Sequence, residues 1–371
     1  MDINFVVPCL LGLEAPIAAE LKEMGCLDVR SENGRVLFSG DEHILARANI
    51  RSRYAERVQV LVGEFEARSF EELFQGTLAL PWERWIGKED RFPVKGYSLN
   101  SKLFSVSDCQ AIIKKAVVER LKRTYRTDWF REREALYQIQ FSIMKDRVSL
   151  LIDTSGAGLH KRGYRPAANE APLKETLAAS LCCFSHLRDY HTLYDPMCGS
   201  GTILIEGAML AANIAPGANR RFSADTWRQL DSSIWEEERR AARALTKTDI
   251  SFRAYGSDID RSALKIAHEN AKRAGVDSMI EFSCTDIAEF SFKTPKGTVI
   301  VNPPYGERMM NEEDVKKLYR TMGEVFTPGQ GKSYSIITSD EDFEHSFGRR
   351  ADKRRKLYNG MIKCQLYMYF K

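Results

Sequence analysis

Past residue 190 the chain repeats one arrangement: a short apolar run closing on an acid or amide, then a helix-forming stretch, then another apolar run. The runs are TLYDPM, FRAYGSD, MIEFSCTD, GTVIVN and YSIITS, with ILIEGAMLAANIA, SALKIAHENAKRAG and VKKLYRTMGEVF as the helical stretches among them. Apolar runs of this length suit strands buried on both faces, and repeated strand-helix-strand succession predicts an α/β fold, a doubly wound parallel sheet with right-handed crossovers. The pattern changes once. KRRKLYNGMIKCQLYMYF is two strand-like runs joined by Asn359-Gly360, a hairpin signal, so the last strand is expected to run antiparallel to its neighbour.

The N-terminal part has a different grain. NFVVPCL, EAPIAAELKEMG and GRVLFSG read as strand, helix and strand; YAERVQVLVGEF, FEELFQGTLAL and DRFPVKGYSLNS continue the mixture. A long basic helix and the hairpin YQIQFSIMKDRVSLLIDTS, turning at Lys145-Asp146, follow. Helices interleaved with short strands predict two small α+β modules in series, at residues 1–60 and 61–157. The Gly- and Pro-bearing connector GLHKRGYRPAANEAPLKETLAASL then opens the last domain, 158–371. Residues 216–250 exceed a minimal loop and are expected to pack on the edge of its sheet.

At 371 residues and 43% apolar content the chain can bury two or three cores, which excludes disordered and fibrous classes. No run nears the eighteen or so apolar residues of a membrane span, and MDINFVVPCLLGLEAP lacks the flanks of a signal peptide, so a cytoplasmic location without membrane association is expected. The eight cysteines are scattered without metal-ligand spacing, so no metal is expected. Net charge is +4, unevenly spread: residues 1–100 hold 12 Lys/Arg against 16 Asp/Glu, residues 101–165 hold 14 against 7. On the helix IIKKAVVERLKRTYR, Lys114, Lys115, Lys122 and Arg123 lie largely outside the apolar stripe. They form either a solvated face or a surface for RNA phosphates.

The chemistry gathers at strand ends. In LYDPMCGSGTILIEGA a strand closes on Asp195 and Pro196, a turn carries Gly199, Ser200 and Gly201, and a helix begins at Thr202. Its unpaired N–H groups and glycines make a cradle at the carboxyl end of the first strand of the domain. Asp258 and Asp286 close the next two strands. Each is either a helix cap or a contact to an adenosine, the first to ribose hydroxyls and the second to the adenine amino group. The turn lacks the third glycine or the Lys-Ser/Thr pair of a pyrophosphate site, and Asp195 would sit poorly beside phosphate. An ammonium or sulfonium would suit it, and S-adenosylmethionine carries both with no phosphate. The fourth strand ends in Asn302-Pro303-Pro304-Tyr305. The Asn302 side-chain oxygen and the Pro303 carbonyl are acceptors for the two N–H groups of an exocyclic amine, Pro304 helps hold them still, and Tyr305 can stack on a flat base. Positioning then supplies the rate without a tuned general base.

Together DPMCGSGTILIEGA, GSDID and NPPYGER resemble the class I S-adenosylmethionine-dependent methyltransferases that modify exocyclic amino groups. With HKRGYR, APLKETLAA and two N-terminal α+β modules, nearly the whole chain is similar to the THUMP-domain RNA methyltransferases, specifically the bacterial 23S rRNA guanine-N2 family. That resemblance implies a ferredoxin-like module, a THUMP module gripping structured RNA, and a Rossmann-like catalytic domain releasing S-adenosylhomocysteine. It implies donor contacts from Asp195, Gly199, Gly201, Asp258, Asp286 and the Lys174-Glu175-Thr176 segment, and target contacts from Asn302 to Tyr305. Methyltransferases of this shape can pair through a flat face, so a homodimer is among the expected states. The motifs alone do not separate guanine from adenine.

Overall fold

Two seven-stranded sheets organise the chain, each in its own compact unit: Met1–Pro8, Ala18–Leu159 and Arg220–Ala241 form one, and Cys9–Ile17, His160–Asn219 and Ala242–Lys371 the other. The computed structural model describes residues 2–165, 173–304 and 312–370. Tyr305 and the rest of YGER, with the middle of the connector, lie outside the described residues.

The first unit runs β1 (Ile3–Pro8), α1 (Glu14–Glu23), β2 (Leu27–Glu32), β3 (Arg35–Gly40), α2 (Glu42–Arg51), β4 (Gln59–Glu66), α3 (Phe70–Ala79), β5 (Val94–Leu99), α4 (Val106–Tyr125), β6 (Gln138–Met144) and β7 (Arg147–Asp153). Its strand order is β2-β3-β1-β4-β7-β6-β5. The expected two modules are therefore fused into one sheet. Strand β4 joins them: Val60 and Gln59 pair with Phe5 and Val6 of β1, and the length of β4 pairs with β7. Every pairing is antiparallel except β5 with β6, which α4 connects as a crossover. Alternation is plain on β6, where Ile139, Phe141 and Ile143 are buried and Met144 on the opposite face is exposed. Helix α4 starts at the Ser105 cap and buries Cys109, Ile113, Ala116, Val117 and Leu121. The β6–β7 turn falls on Lys145-Asp146, both at positive φ as a tight hairpin turn requires.

The insertion corrects an expectation. Residues 220–241 belong to the first unit and do not edge the second sheet. The reason is apolar content: the Trp227 indole stacks on Tyr137 at 4.4 Å, and Phe222 stacks on Trp235 at 5.2 Å. Glu238 of α7 (Ser233–Ala244) closes the contact with a 2.8 Å ion pair to Arg47 on α2.

The second unit continues with α5 (Glu175–Phe184), β8 (Thr192–Asp195), α6 (Thr202–Ala211), β9 (Arg253–Asp258), α8 (Arg261–Ala274), β10 (Ile280–Cys284), β11 (Gly297–Val301), α9 (Glu312–Val325), β12 (Lys332–Thr338), α10 (Phe343–Phe347), β13 (Lys353–Asn359) and β14 (Ile362–Tyr369). Its order, β10-β9-β8-β11-β12-β14-β13, is parallel from β10 to β12, and β14 enters antiparallel between β12 and β13. The Asn359-Gly360 hairpin is the device that reverses it, with Gly360 at φ +63°. Val299 and Val301 share a core with Tyr319 and Met322 of α9, Tyr334 and Ile336 of β12, and Phe343 and Phe347 of α10. Burying such side chains stabilises by about 1.5–3 kcal/mol each. That core fixes the end of β11, where Asn302 emerges. The order reverses direction at β8, so β8 and β11 flank the crevice in which open α/β sheets bind ligands.

Candidate active site

Strand β8 ends at Asp195, level with Gly256 on β9, while Val299 of β11 lies level with the preceding Tyr194. The chain then turns through residues 196–201. Gly199 and Gly201 sit at φ +51° and +80°, a region side chains disfavour. At Gly201 space matters too, since a Cβ would lie 3.1 Å from that of Ala267 on α8. Glycine there lets α6 begin hard against α8, with its first N–H groups open to a ligand. Ser200 and Thr202 hydroxyls stand 3.3 Å apart at that entrance, and Asn270 Nδ2 donates to the Ser200 carbonyl at 3.1 Å.

The second strand holds the cradle in shape. Gly199 N donates to Asp258 Oδ2 at 2.8 Å and Asp260 N donates to Oδ1 at 3.0 Å. Each carboxylate oxygen can accept a further bond, so hydroxyl donors remain welcome. Asp286, two residues past the Cys284–Asp258 rung, caps the following turn through Ala288 N at 2.8 Å. Ile259, beside Asp258, is 71% exposed, an apolar surface of the size a flat ring covers.

Asp195 is the electrostatic centre. It is 2% exposed and accepts from Met197 N at 3.3 Å. Burial, with a smaller contribution from the Asp258 charge, pushes its carboxyl up to about 8. A nearby cation would reverse that shift, so this buried acid suits a ligand bringing positive charge. Thr176 is fully buried on the first turn of α5, and Cys182 on that helix donates its thiol to the Ile203 carbonyl of α6 at 3.7 Å.

Asn302 stands one residue beyond β11, followed by buried Pro303 and half-buried Pro304. Its Oδ1 is buried and has no hydrogen-bond partner among the described residues. An amide oxygen in that condition is destabilising by about 1–3 kcal/mol unless something donates to it. Asp195, Gly199, Gly201, Asp258 and Asn302 thus converge on the carboxyl ends of neighbouring strands.

Sequence reading gave HKRGYR no individual roles. Arg162 and Glu206 are both buried, with Arg162 Nη2 3.4 Å from Glu206 Oε2, and Tyr164 OH donates to Oε1 at 3.0 Å. Arg165 Nη1 pairs with Glu175 Oε1 at 3.2 Å and donates to the Leu173 carbonyl at 3.1 Å. These contacts bind the connector to α6 and to the start of α5. The available signal was two arginines and a tyrosine just ahead of an apolar helix containing Glu206.

On α4, Lys114 is half-buried, pairing with Glu132 at 2.6 Å and lying 3.4 Å above the Phe92 ring. Lys122 pairs with Glu119 at 3.2 Å, and Lys115 approaches the Phe74 ring at 5.7 Å. Arg123 is exposed. No group of three or more metal-ligating side chains occurs among the described residues, nor any helix long and apolar enough to cross a membrane.

Residues 162–368 match the family described as RMKL-like, methyltransferase domain, residues 4–59 the RlmL ferredoxin-like domain, and residues 67–153 the THUMP domain. The chain is 41% identical to "Putative RNA methyltransferase YpsC" of Bacillus subtilis over 97% of its own length and 94% of that protein's. It is 35% identical to the ribosomal RNA large subunit methyltransferase K/L of Psychromonas ingrahamii, of which it spans 50%. Among solved structures, "SMU.472, a putative methyltransferase complexed with SAH" (S-adenosylhomocysteine) is 40% identical, with a TM-score of 0.93 over 100% of this chain and 98% of that one. The donor is accordingly S-adenosylmethionine, and the residues present suit such a group: the strand ends bring together a buried carboxyl, a second acid and an exposed apolar side chain. The chain belongs to the THUMP-containing, RMKL-like family of class I S-adenosylmethionine-dependent RNA methyltransferases.

Proposed function

We propose that this enzyme methylates the exocyclic N2 of guanine in 23S ribosomal RNA. One observation carries the amine-methylation core of the reading: the buried Asn302 Oδ1 just past β11, without a hydrogen-bond partner among the described residues. When bound, S-adenosylmethionine supplies an electrophilic methyl group on a sulfonium. Asp195 ionises to meet the donor's positive charge, and the Gly199–Gly201 turn allows its close approach. Asp258 accepts from the ribose hydroxyls, and Asp286 from the adenine amine. Asn302 Oδ1 and the Pro303 carbonyl accept the two N–H bonds of the target amine. That arrangement draws the amine's lone pair out of conjugation and aims it at the methyl carbon. Tyr305, outside the described residues, is assigned to stacking on the flipped base.

In this reading residues 1–60 and 61–157 capture the RNA and residues 158–371 carry the chemistry. Such a substrate implies a cytoplasmic enzyme. Flipping is cheapest in loops or unstructured RNA, so naked or partly assembled 23S rRNA is the favoured substrate. The names of the K/L relatives and the THUMP match support RNA over DNA.

The test is transfer from radiolabelled S-adenosylmethionine to total rRNA, tRNA and DNA from cells lacking the gene, followed by nucleoside analysis. Label in N2-methylguanosine of 23S rRNA, absent with Asn302→Ala, is the expected result. Label only in N6-methyladenine would overturn the base assignment, and no label despite donor binding would point to an RNA-binding assembly factor.

A further inference from the structure

The geometry points to a single-stranded RNA platform on the exposed face of β5 and β6, built on Tyr97 and rimmed by lysines. This inference rests on the RNA reading above and assigns where the RNA lies on the first unit. On β5, Lys95, Tyr97 and Leu99 share one face by their spacing of two. Across the parallel ladder they stand level with Gln140, Ser142 and Met144 of β6, and β7 continues these rungs with Leu151, Ser149 and Arg147. The opposite face of β6 is buried. On this face, Tyr97 is 49% exposed, Leu99 52% and Met144 48%.

Cations gather around these apolar side chains. Lys95 lies two residues before Tyr97 on the same face, and Lys145 follows Met144; both are exposed. The loop after β5 is tied to the same end of the sheet. Lys145 N donates to the Leu99 carbonyl at 3.3 Å, and Lys102 N donates to Asp146 Oδ1 at 2.7 Å. Exposed Lys102 is thereby held beside the turn, and Phe104, 82% exposed, follows it. Two of the nearby acids are engaged, while Glu66, level with Arg147, is exposed. Glu64 takes Arg147 at 2.7 Å and Arg35 at 3.3 Å, and Asp146 lies 3.6 Å from Arg68.

A flat, half-apolar sheet face with an accessible aromatic and flanking lysines is what bases and a phosphate backbone need together. Stacking uses the ring face, and the cations track the chain. A second copy of this chain is the less favoured occupant, because a two-fold contact would set Lys95, Lys102 and Lys145 against the same cations. The surface also differs from the basic face of α4, where Lys114 and Lys122 already have carboxylate partners.

The test measures binding of a fluorescein-labelled single-stranded RNA oligonucleotide of mixed sequence to the full chain. Tyr97→Ala should weaken it at least about fivefold, the lower end of base–aromatic stacking, while Tyr97→Phe retains it. Lys95→Ala should lower the slope of log affinity against log salt by about 0.7. S-adenosylhomocysteine affinity should stay unchanged in all three, which reports an intact second unit, and RNA binding retained by Tyr97→Phe reports an intact first. If the wild-type chain binds RNA and Tyr97→Ala and Lys95→Ala bind it equally well, this surface is wrong and the RNA reading stands. No binding by the wild-type chain would sink both. A changed oligomeric state with unaltered RNA affinity would make the face a self-contact and overturn the proposal.

Discussion

The two sheets put function in opposite places. In the second, strands β8 to β12 are parallel, with β8, β11 and β12 the most buried, and the candidate site residues collect where strands stop, at Asp195, Asp258 and Asn302. In the first, mostly antiparallel sheet, the β5 and β6 strands keep one face open, and what is available lies along them, at Lys95, Tyr97 and Leu99. A parallel strand needs a crossover to return, so its carboxyl end is the natural site for a loop with a task. The open face of the first sheet also lies on a parallel pair, β5 and β6, joined by the α4 crossover, and there the strands leave a surface instead.

If the strand-end site depends on the contacts beneath it, the buried ion pair should matter most. Replacing Arg162 by Met leaves Glu206 buried and uncompensated, at an expected loss of about 3–5 kcal/mol. A large drop in the melting temperature of the second unit is the measurement. Arg162→Met with Glu206→Leu should recover much of it, and failure to do so would mean the pair is not what holds the connector. Next in size, Asn302→Ala should lower single-turnover methyl transfer about 10²- to 10³-fold while S-adenosylhomocysteine affinity hardly moves. A fall in donor affinity of similar size would instead assign Asn302 to the cradle.

The two regions also differ in their response to protons, because no described residue on the open face of β5 and β6 is a comparably buried acid. Asp195, raised to about 8, is protonated in the free enzyme below that pH and must lose its proton to meet a cation. S-adenosylmethionine affinity should therefore fall as pH drops through about 8, approaching about tenfold per unit, with protons released on binding. Asp195→Asn should remove the dependence; calorimetry in buffers of different ionisation enthalpy reads both. Folding has the opposite slope. The unfolded carboxyl ionises more readily, so the ligand-free unit loses stability as pH rises from about 4 to about 8. The smallest effect concerns α4. Lys115→Glu with Lys122→Glu should weaken RNA binding only a few-fold, since Lys122 already faces Glu119. A loss exceeding that of Tyr97→Ala would move the RNA back onto the helix.

How far the sequence was legible follows the same division. Strand ends rich in Asp, Asn and Gly announced the second sheet, because buried parallel strands read as continuous apolar runs. Strand β2 gave no such signal: as a largely exposed edge strand its LDVRSE carries Asp28, Arg30 and Glu32. The length of the 216–250 insertion was visible but its destination was not, since Trp227 could have stacked on many surfaces before Tyr137 was placed beneath it. Lys114 read as a free cation because its partner, Glu132, lies 18 residues away. Asn302 was readable as an acceptor. Its want of a donor among its described neighbours belongs to three dimensions alone.

Strand β4 has a consequence for inheritance. The ferredoxin-like and THUMP matches end at residue 59 and resume at 67, so Gln59–Glu66 falls almost wholly between them. Yet this strand carries the ladder from β1 to β7. Recombination anywhere near that seam would leave one module with a raw edge and the other with an orphaned strand. The two are therefore expected to travel through genomes as one heritable piece.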